Sequence, residues 1–224
     1  MMDKELLLKN YAEVQSQIIQ TSHVAQRHPD EIKLIVVSKF QPETKIHWLL
    51  DAGQRQFAES RIEEIEQKWP SLLMQYPDVV LHYIGQIQSR KIKNIIKYCH
   101  YIHSLDRLEI AEKIAVESIR QQRSPICLVQ INTGAEHQKN GISPEAFPDF
   151  YSACKNITAL NIQGIMCIPP VHENPLPHFA LMQKIKNSFS LAELSMGMSS
   201  DYREAILHGA TMLRIGTRIM GERT

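Results

Sequence analysis

Short apolar runs alternate with amphipathic stretches along almost the whole chain. The run Leu34-Ile35-Val36-Val37 is typical of a strand that is covered on both faces. Residues 42–52 show the other pattern, because a proline opens the stretch and Ile46 and Leu49 fall on one face. Gly53 follows directly and is a common helix stop. The pattern therefore predicts a buried strand followed by a helix.

The same alternation predicts eight strands with helices between them, after a first helix over residues 4–27. The strands are expected at 33–38, 54–58, 81–84, 101–105, 126–132, 162–168, 192–196 and 212–216. About eight β/α units in 224 residues is the count of a TIM (β/α)8 barrel, and an open, doubly wound sheet is the alternative. No linker divides the chain, so we predict a single α/β barrel domain over residues 1–224 with an extra N-terminal helix.

Polar residues at the predicted strand ends favour the barrel over the open sheet. In a barrel, functional groups gather at the carboxyl ends of the strands, in loops that face one mouth. An open sheet concentrates them instead at one switch point. The strand ends carry Lys39, Glu59, Gly85, Asn132, Ser199 and the segment Arg214-Ile215-Gly216-Thr217.

Charge and cysteine content exclude several classes of protein. The formal net charge of +1 gives no reason to expect binding to nucleic acid or to a membrane surface. No signal-peptide core or membrane-length apolar run is seen, and the four cysteines form no C-x-x-C pair. His100 and His103 lack zinc-signature spacing and are interpreted as ordinary strand histidines, with no metal site. A reduced, cytoplasmic location fits best.

Lys39 is the first candidate for chemistry. One interpretation is a lysine whose stem covers the barrel rim while its ammonium stays in water. The other is a Schiff-base lysine, because a partly apolar mouth disfavours the charged form and leaves the amine free to attack an aldehyde.

The loops after strands seven and eight supply the second candidate. Barrels frequently hold phosphate there, with glycine backbone amides and hydroxyl groups. Gly216 permits close approach of an anion, and Ser199 and Thr217 add hydroxyl donors. Helix capping and an ordinary turn are the alternative explanations of these residues. Strands one and eight are neighbours in a closed barrel, so Lys39 and this loop suit a ligand with an aldehyde and a phosphate.

Several ordered motifs together resemble the pyridoxal phosphate homeostasis proteins, the YggS/PROSC family, over nearly the whole chain. The stretches that carry the resemblance are 36–39 (VVSK), 51–53 (DAG), 57–60 (FAES), 81–89 (LHYIGQIQS), 104–107 (SLDR), the loop 136–141, 194–199 (LSMGMS) and 214–217 (RIGT).

The resemblance implies a barrel like the N-terminal domain of alanine racemases, with pyridoxal 5'-phosphate (PLP) as cofactor. It places Lys39 at the Schiff-base position, Arg214 opposite the pyridine nitrogen, and Ser199, Gly216 and Thr217 at the phosphate. The family usually reads Phe-Gly-Glu-Asn where this chain reads Phe-Ala-Glu-Ser at 57–60. The resemblance implies that Ser60 lies beside the cofactor, although it is too short to make every contact of an asparagine. Ala58 would be strained in a conformation that only glycine adopts.

The resemblance also implies a carrier and regulator of PLP supply without established turnover, and so no catalytic residues. Apo-enzymes that depend on PLP are candidate recipients, and the chain is expected to be a monomer or a weak dimer. An arginine at the pyridine nitrogen can only donate, which handicaps carbanion chemistry. The chain ends soon after the barrel motifs, so the additional domain of alanine racemases is expected to be absent.

Two alternatives remain open. An amino-acid racemase would need a second base, for example Tyr83. A Schiff-base aldolase acting on a sugar phosphate would need no PLP.

Overall fold

Eight parallel strands pair in chain order and close into a barrel, because β8 also pairs with β1. The computed structural model describes residues 2–134 and 140–222. The strands are β1 (Lys33–Val37), β2 (Gln56–Glu59), β3 (Val80–Tyr83), β4 (Tyr101–Leu105), β5 (Ile126–Ile131), β6 (Asn161–Cys167), β7 (Glu193–Ser195) and β8 (Met212–Ile215). The closed pairing excludes the open sheet and confirms the predicted barrel.

Helices surround the strands and follow them in the chain. They are α1 (Lys4–Val24), α2 (Glu43–Asp51), α3 (Ile62–Gln75), α4 (Ile92–Tyr98), α5 (Leu108–Gln121), α6 (Phe147–Lys155), α7 (Pro175–Ser188), α8 (Tyr202–Leu207) and α9 (Thr217–Met220). The predicted extra helix is α1, which packs outside the barrel against α8 and α9. In the described part of the chain, no helix is both long enough and apolar enough to cross a membrane.

The predicted strand boundaries differ from the observed ones by two residues at most. Strand β2 begins at Gln56 instead of residue 54. The Gln54 side chain donates to the backbone carbonyls of Leu34 and Gln56, so this residue braces the strand start from outside the ladder. Pro42 precedes α2 as its N-cap, and Gly53 follows the helix with a φ of +90°. Pro42 and Gly53 therefore mark the start and the end of this helix, as predicted.

The hydrophobic core has two layers, because each strand presents alternate residues to the barrel interior and to the helices. The layer under the helices is large and includes Phe57 and Trp69, whose rings lie 5.3 Å apart. The apolar cluster inside the barrel is small and consists of Ile35, Ala58, Leu128, Met166 and Met212.

Candidate functional site

A cavity of about 380 Å³ opens at the carboxyl ends of the strands. The residues around it come from β1, β6 and β8, and from the segments that follow β1, β3, β6, β7 and β8. They are Val37, Lys39, Gln41, Ile84, Met166, Ile168, Met198, Ser199, Ser200, Arg214, Gly216, Thr217 and Gly221. The structure thus brings together five of the six predicted site residues: Lys39, Ser199, Arg214, Gly216 and Thr217.

Lys39 lies two residues beyond the end of β1 and is half-buried. The next residue, Phe40, has a φ of +61°, the left-handed region that side chains other than glycine rarely adopt. The guanidinium of Arg61 lies over the Phe40 ring at 4.7 Å from its centroid. The chain therefore turns sharply just after the lysine, and an aromatic contact fixes the turn.

Carboxylates hold both neighbours of this lysine. The Ser38 hydroxyl donates to Glu59 Oε1 at 2.9 Å, and the Phe40 backbone amide donates to Glu64 Oε2 at 2.8 Å. The Lys68 ammonium joins the two carboxylates, at 2.6 Å from Glu64 and 3.5 Å from Glu59. These charge-assisted bonds tie the loop to α3 and so fix the place from which the amine reaches the cavity.

Glu59, which the sequence placed among the strand-end groups of the mouth, lies elsewhere. Its side chain is fully buried between β2 and α3, where Trp69 Nε1 also approaches it at 3.4 Å. Burial raises the pKa of this carboxyl group, and the nearby Lys68 ammonium opposes the rise. Strand alternation explains the error, because Glu59 follows inward-facing Ala58 and therefore faces the helices.

The predicted phosphate loops meet through their hydroxyl groups. Thr217 Oγ1 donates to Ser199 Oγ at 3.1 Å, and the Arg218 backbone amide donates to the same oxygen at 3.3 Å. Ser199 therefore braces the start of α9, as the capping interpretation predicts. The Asp201 carboxylate accepts from the Met198 amide at 2.6 Å and fixes the loop that presents Ser199.

Close packing accounts for the glycine at position 216. A Cβ atom added there would lie 3.3 Å from the Val37 backbone oxygen, tighter than most real contacts. A side chain would also project toward the cavity that Gly216 lines. Glycine lets β8 leave the barrel close to β1 and close to Lys39.

Arg214 forms part of the cavity floor and is only 4% exposed. Its Nη1 donates to Ser195 Oγ at 2.6 Å, and its Nη2 donates to the Cys167 carbonyl at 2.9 Å. Burial lowers the pKa of the guanidinium, and Asp201 and the Cys167 thiol oppose this change. Arginine's ordinary pKa is so high that the group remains a cation and a donor.

Ser60 is the predicted site residue that the cavity leaves out. It lies on a neighbouring groove with Arg61, Tyr83 and Gln86. Its backbone oxygen touches the next strand end, because a Cβ atom built on Gly85 would lie 1.9 Å away from it. Ala58 pairs with β1 and β3 as an ordinary strand residue, without the positive φ that would strain it. Ala58 therefore does not adopt the glycine-only conformation in which it would be strained.

Apolar residues of the cavity wall escaped the sequence analysis. Val37, Ile84, Met166 and Ile168 line the cavity beside the polar groups. The alternation of strand residues could have identified them, because residues two apart share a face. Val37 precedes Lys39 by two residues, and Met166 precedes Ile168 by two. With one amine, one guanidinium, three hydroxyl groups and an apolar wall, the cavity suits an anionic molecule that carries an electrophile.

Other candidate chemistry lies outside the cavity. All four cysteines are buried and unpaired, and burial raises the thiol pKa of Cys127 and Cys167 to about 12. Within residues 2–134 and 140–222, no three His, Cys, Asp or Glu side chains form a group that could hold a metal ion. Of the quoted loop 136–141, residues 136–139 lie outside the described residues.

Comparison with known proteins shows which family this chain is similar to. The family model of the alanine racemase N-terminal domain matches residues 20–224. Two similar curated proteins are both named pyridoxal phosphate homeostasis protein. The one from Pseudomonas aeruginosa is 35% identical, covering 97% of this chain and 96% of its own length. The one from Synechocystis is 36% identical, with corresponding coverages of 90% and 96%.

A solved structure extends the comparison. PipY of Synechococcus elongatus, in a structure with PLP bound, superposes with a TM-score of 0.78 at 29% identity. The match covers 91% of this chain and 100% of PipY.

Proposed function

The chain belongs to the pyridoxal phosphate homeostasis family, which shares the alanine racemase N-terminal domain, and on this premise we propose that it binds PLP through Lys39 to help maintain the intracellular PLP supply. Relatives matched over nearly their full length carry the homeostasis name, which favours a carrier over the racemase and aldolase alternatives.

The observation that carries this proposal is the convergence of an amine, a guanidinium and three hydroxyl groups on one cavity. Its volume of about 380 Å³ lies within the range of small-molecule sites. Lys39 is the amine that would form the Schiff base with the aldehyde. Ser199, Gly216 and Thr217 would hold the phosphate, because hydroxyl groups and a closely approached backbone suit an anion.

Arg214 supports a carrier rather than a catalyst. When bound, PLP supplies an electron sink whose strength depends on a protonated pyridine nitrogen. A guanidinium opposite that nitrogen donates a hydrogen bond and does not accept a proton. We propose that Arg214 takes this position, and that the site therefore holds the cofactor without sustained turnover of amino acids.

The test is reduction of the PLP-loaded protein with borohydride, followed by peptide mapping. The pyridoxyl group is expected on Lys39, and Lys39→Ala should abolish the label while weak binding through Ser199 and Thr217 persists. Lys33→Ala is the matched control, because Lys33 lies at the opposite end of the same strand, paired with Glu193. A main label on any other lysine, or an unchanged label in Lys39→Ala, would refute the assignment.

Several finer expectations are part of the same proposal. The whole chain would act as one cofactor-binding unit, with apo-enzymes as recipients of PLP. The cytoplasmic location and the state of monomer or weak dimer stay predictions. Sedimentation with and without PLP would test the oligomeric state. Transfer to a PLP-dependent apo-enzyme, across a dialysis membrane or in direct mixture, would test the recipients.

A further inference from the structure

A chain of buried polar side chains crosses the barrel interior beneath the cavity. Arg214 Nη1 lies 2.6 Å from Ser195 Oγ, which lies 2.9 Å from His103 Nδ1. His103 Nε2 lies 2.9 Å from His82 Nδ1, and His82 Nε2 lies 2.7 Å from Gln56 Oε1. We call the four residues Ser195, His103, His82 and Gln56 the interior relay.

One bond of the interior relay joins two strands that do not pair with each other. Ser195 belongs to β7 and His103 to β4, so the bond between them crosses the lumen of the barrel. Ser195, His103 and His82 are all fully buried, and the Tyr101 ring stacks on His82 at 4.5 Å. Buried polar groups are unfavourable unless they are hydrogen-bonded, and here each one finds a partner in the next.

The two ends of the interior relay together fix the direction of its bonds, because Arg214 can only donate and Gln56 Oε1 can only accept. A guanidinium can only donate, so Ser195 Oγ accepts from Arg214 and has its one proton left for His103 Nδ1. The proton of the His103 ring then lies on Nε2 and is donated to His82 Nδ1. The His82 ring in turn carries its proton on Nε2 and donates it to Gln56 Oε1. All protons therefore point away from Arg214.

Both histidines are neutral, as this arrangement requires. Burial lowers the pKa of His82 to about 3 and holds the pKa of His103 well below its ordinary range. The cations that face them act in the same direction, Arg214 on His103 and Lys33 on His82. A neutral ring has one donor and one acceptor, the number that each ring uses here.

We infer that the interior relay is a positioning device for Arg214, which holds one edge of the guanidinium and directs its remaining N–H groups at the cavity. The Cys167 carbonyl binds Nη2 on the same side, so the orientation of the plane is set by two contacts from the barrel. Two bonds fix a planar fork more firmly than one. Ser195 and His103 are thus positioning residues that act on the ligand through Arg214.

The first test uses the cofactor-free protein and does not depend on the proposed function. Nitrogen-15 NMR of protein labelled at histidine should show His82 and His103 as neutral Nε2–H tautomers from pH 5 to 9. Ser195→Ala removes the donor to His103 Nδ1, so the His103 resonances should shift most and those of His82 less. An Nδ1–H tautomer or a charged ring at either position in the wild-type protein would overturn the inference.

The second test asks whether the interior relay reaches the ligand, and it rests on the proposed function. A glutamine amide can accept and donate like the imidazole, whereas leucine can do neither. His103→Leu is expected to weaken PLP binding about tenfold, the scale of one lost charge-assisted hydrogen bond, while the label on Lys39 persists. His103→Gln should stay within about threefold of the wild-type affinity.

Ser118→Ala is the matched control, because Ser118 is a buried serine on α5 whose hydroxyl has no hydrogen-bond partner. It should leave both the affinity and the histidine resonances unchanged. Equal affinities of His103→Leu and His103→Gln would overturn the positioning role. If His103→Leu does not fold, Ser195→Ala is measured in its place, with the same tenfold expectation. Absence of PLP binding by the wild-type protein would instead defeat the proposed function and leave the NMR result standing.

Discussion

The two faces of the barrel strands are buried in different ways. The outer face packs against helices with large apolar side chains such as Phe57, Trp69 and Leu49, all fully buried. The inner face holds a small apolar cluster together with His82 and His103, which are also fully buried. Packing of large apolar side chains stabilises the outer face, whereas directed hydrogen bonds stabilise the inner face.

This difference shows where the fold can accommodate buried polar side chains. A close-packed layer accepts a polar group only where it finds partners, as Glu59 does with Ser38, Trp69 and Lys68. The barrel interior accepts several, since they bond to one another and to Arg214, which lines the cavity. Substitutions on the outer face should therefore lower stability alone, and those on the inner face should also weaken ligand binding.

The largest effect is expected on the outer face. Phe57→Ala should lower the free energy of unfolding by about 3–5 kcal/mol, because it opens a cavity beside Trp69. Phe57→Leu is the control and should cost about 1.5 kcal/mol or less, since most of the volume is kept. Urea denaturation measures both. A loss below about 1 kcal/mol for Phe57→Ala would contradict the packed-volume account.

On the inner face, Arg214→Gln is expected to cost about 2–3 kcal/mol of stability, because Ser195 and the Cys167 carbonyl lose a charged donor. PLP binding should fall at least tenfold. Thermal unfolding and PLP titration measure the two losses. A variant as stable as the wild type, with unchanged affinity, would show that the guanidinium holds neither the barrel nor the ligand.

Arg214→Glu sharpens the distinction between carrier and enzyme. A carboxylate would permit protonation of the pyridine nitrogen, so slow side reactions at the α-carbon of alanine should rise per bound PLP. Arg214→Gln, which is neutral, serves as the matched comparison. Single-turnover absorbance spectroscopy normalised to cofactor content is the measurement. Wild-type racemisation of alanine at about 1 per second or faster would end the carrier proposal.

Glu59 on the outer face should make stability depend on pH. Folding raises its pKa above the ordinary value of 4.5, so this contribution to stability is fully present below that value and is lost as the pH rises through the folded pKa. Relative to Glu59→Gln, the wild-type protein should therefore lose stability as the pH rises above this ordinary value.

Glu66→Gln is the control for this measurement, because Glu66 is an exposed carboxyl group on α3, the helix that covers Glu59. Urea denaturation across the pH range should show the wild-type slope in Glu66→Gln and a flatter slope in Glu59→Gln. Parallel slopes for all three proteins would contradict a buried, titrating Glu59.

The smallest effect is expected at Ser60. Ser60→Asn restores the usual family residue, yet the side chain lies on the neighbouring groove rather than the cavity. PLP affinity and stability should each change by less than about 0.5 kcal/mol. A gain of tenfold or more in PLP affinity would show that this groove contributes to ligand binding.

The sequence predicted the fold well because the period of the apolar residues is set by helix and strand geometry alone. It also located the cavity, since loops after parallel strands meet at one end of a barrel. It misplaced Glu59 because a shift of one residue along a strand reverses the face. His103, interpreted as an ordinary strand histidine, could not be joined to Ser195 from sequence, because that contact depends on two strands that do not pair.

Closure of the barrel has a consequence for how the protein is made. The first strand pairs with the last, Val36 beside Ile215, and Lys45 Nζ donates to the Met220 carbonyl at 2.7 Å. A ribosome releases the loop of Lys39 long before it releases these partners, so the cavity cannot assemble until β8 has emerged. Contacts between segments so far apart in the chain form slowly. A ligand that needs the whole cavity can therefore bind only after β8 has docked.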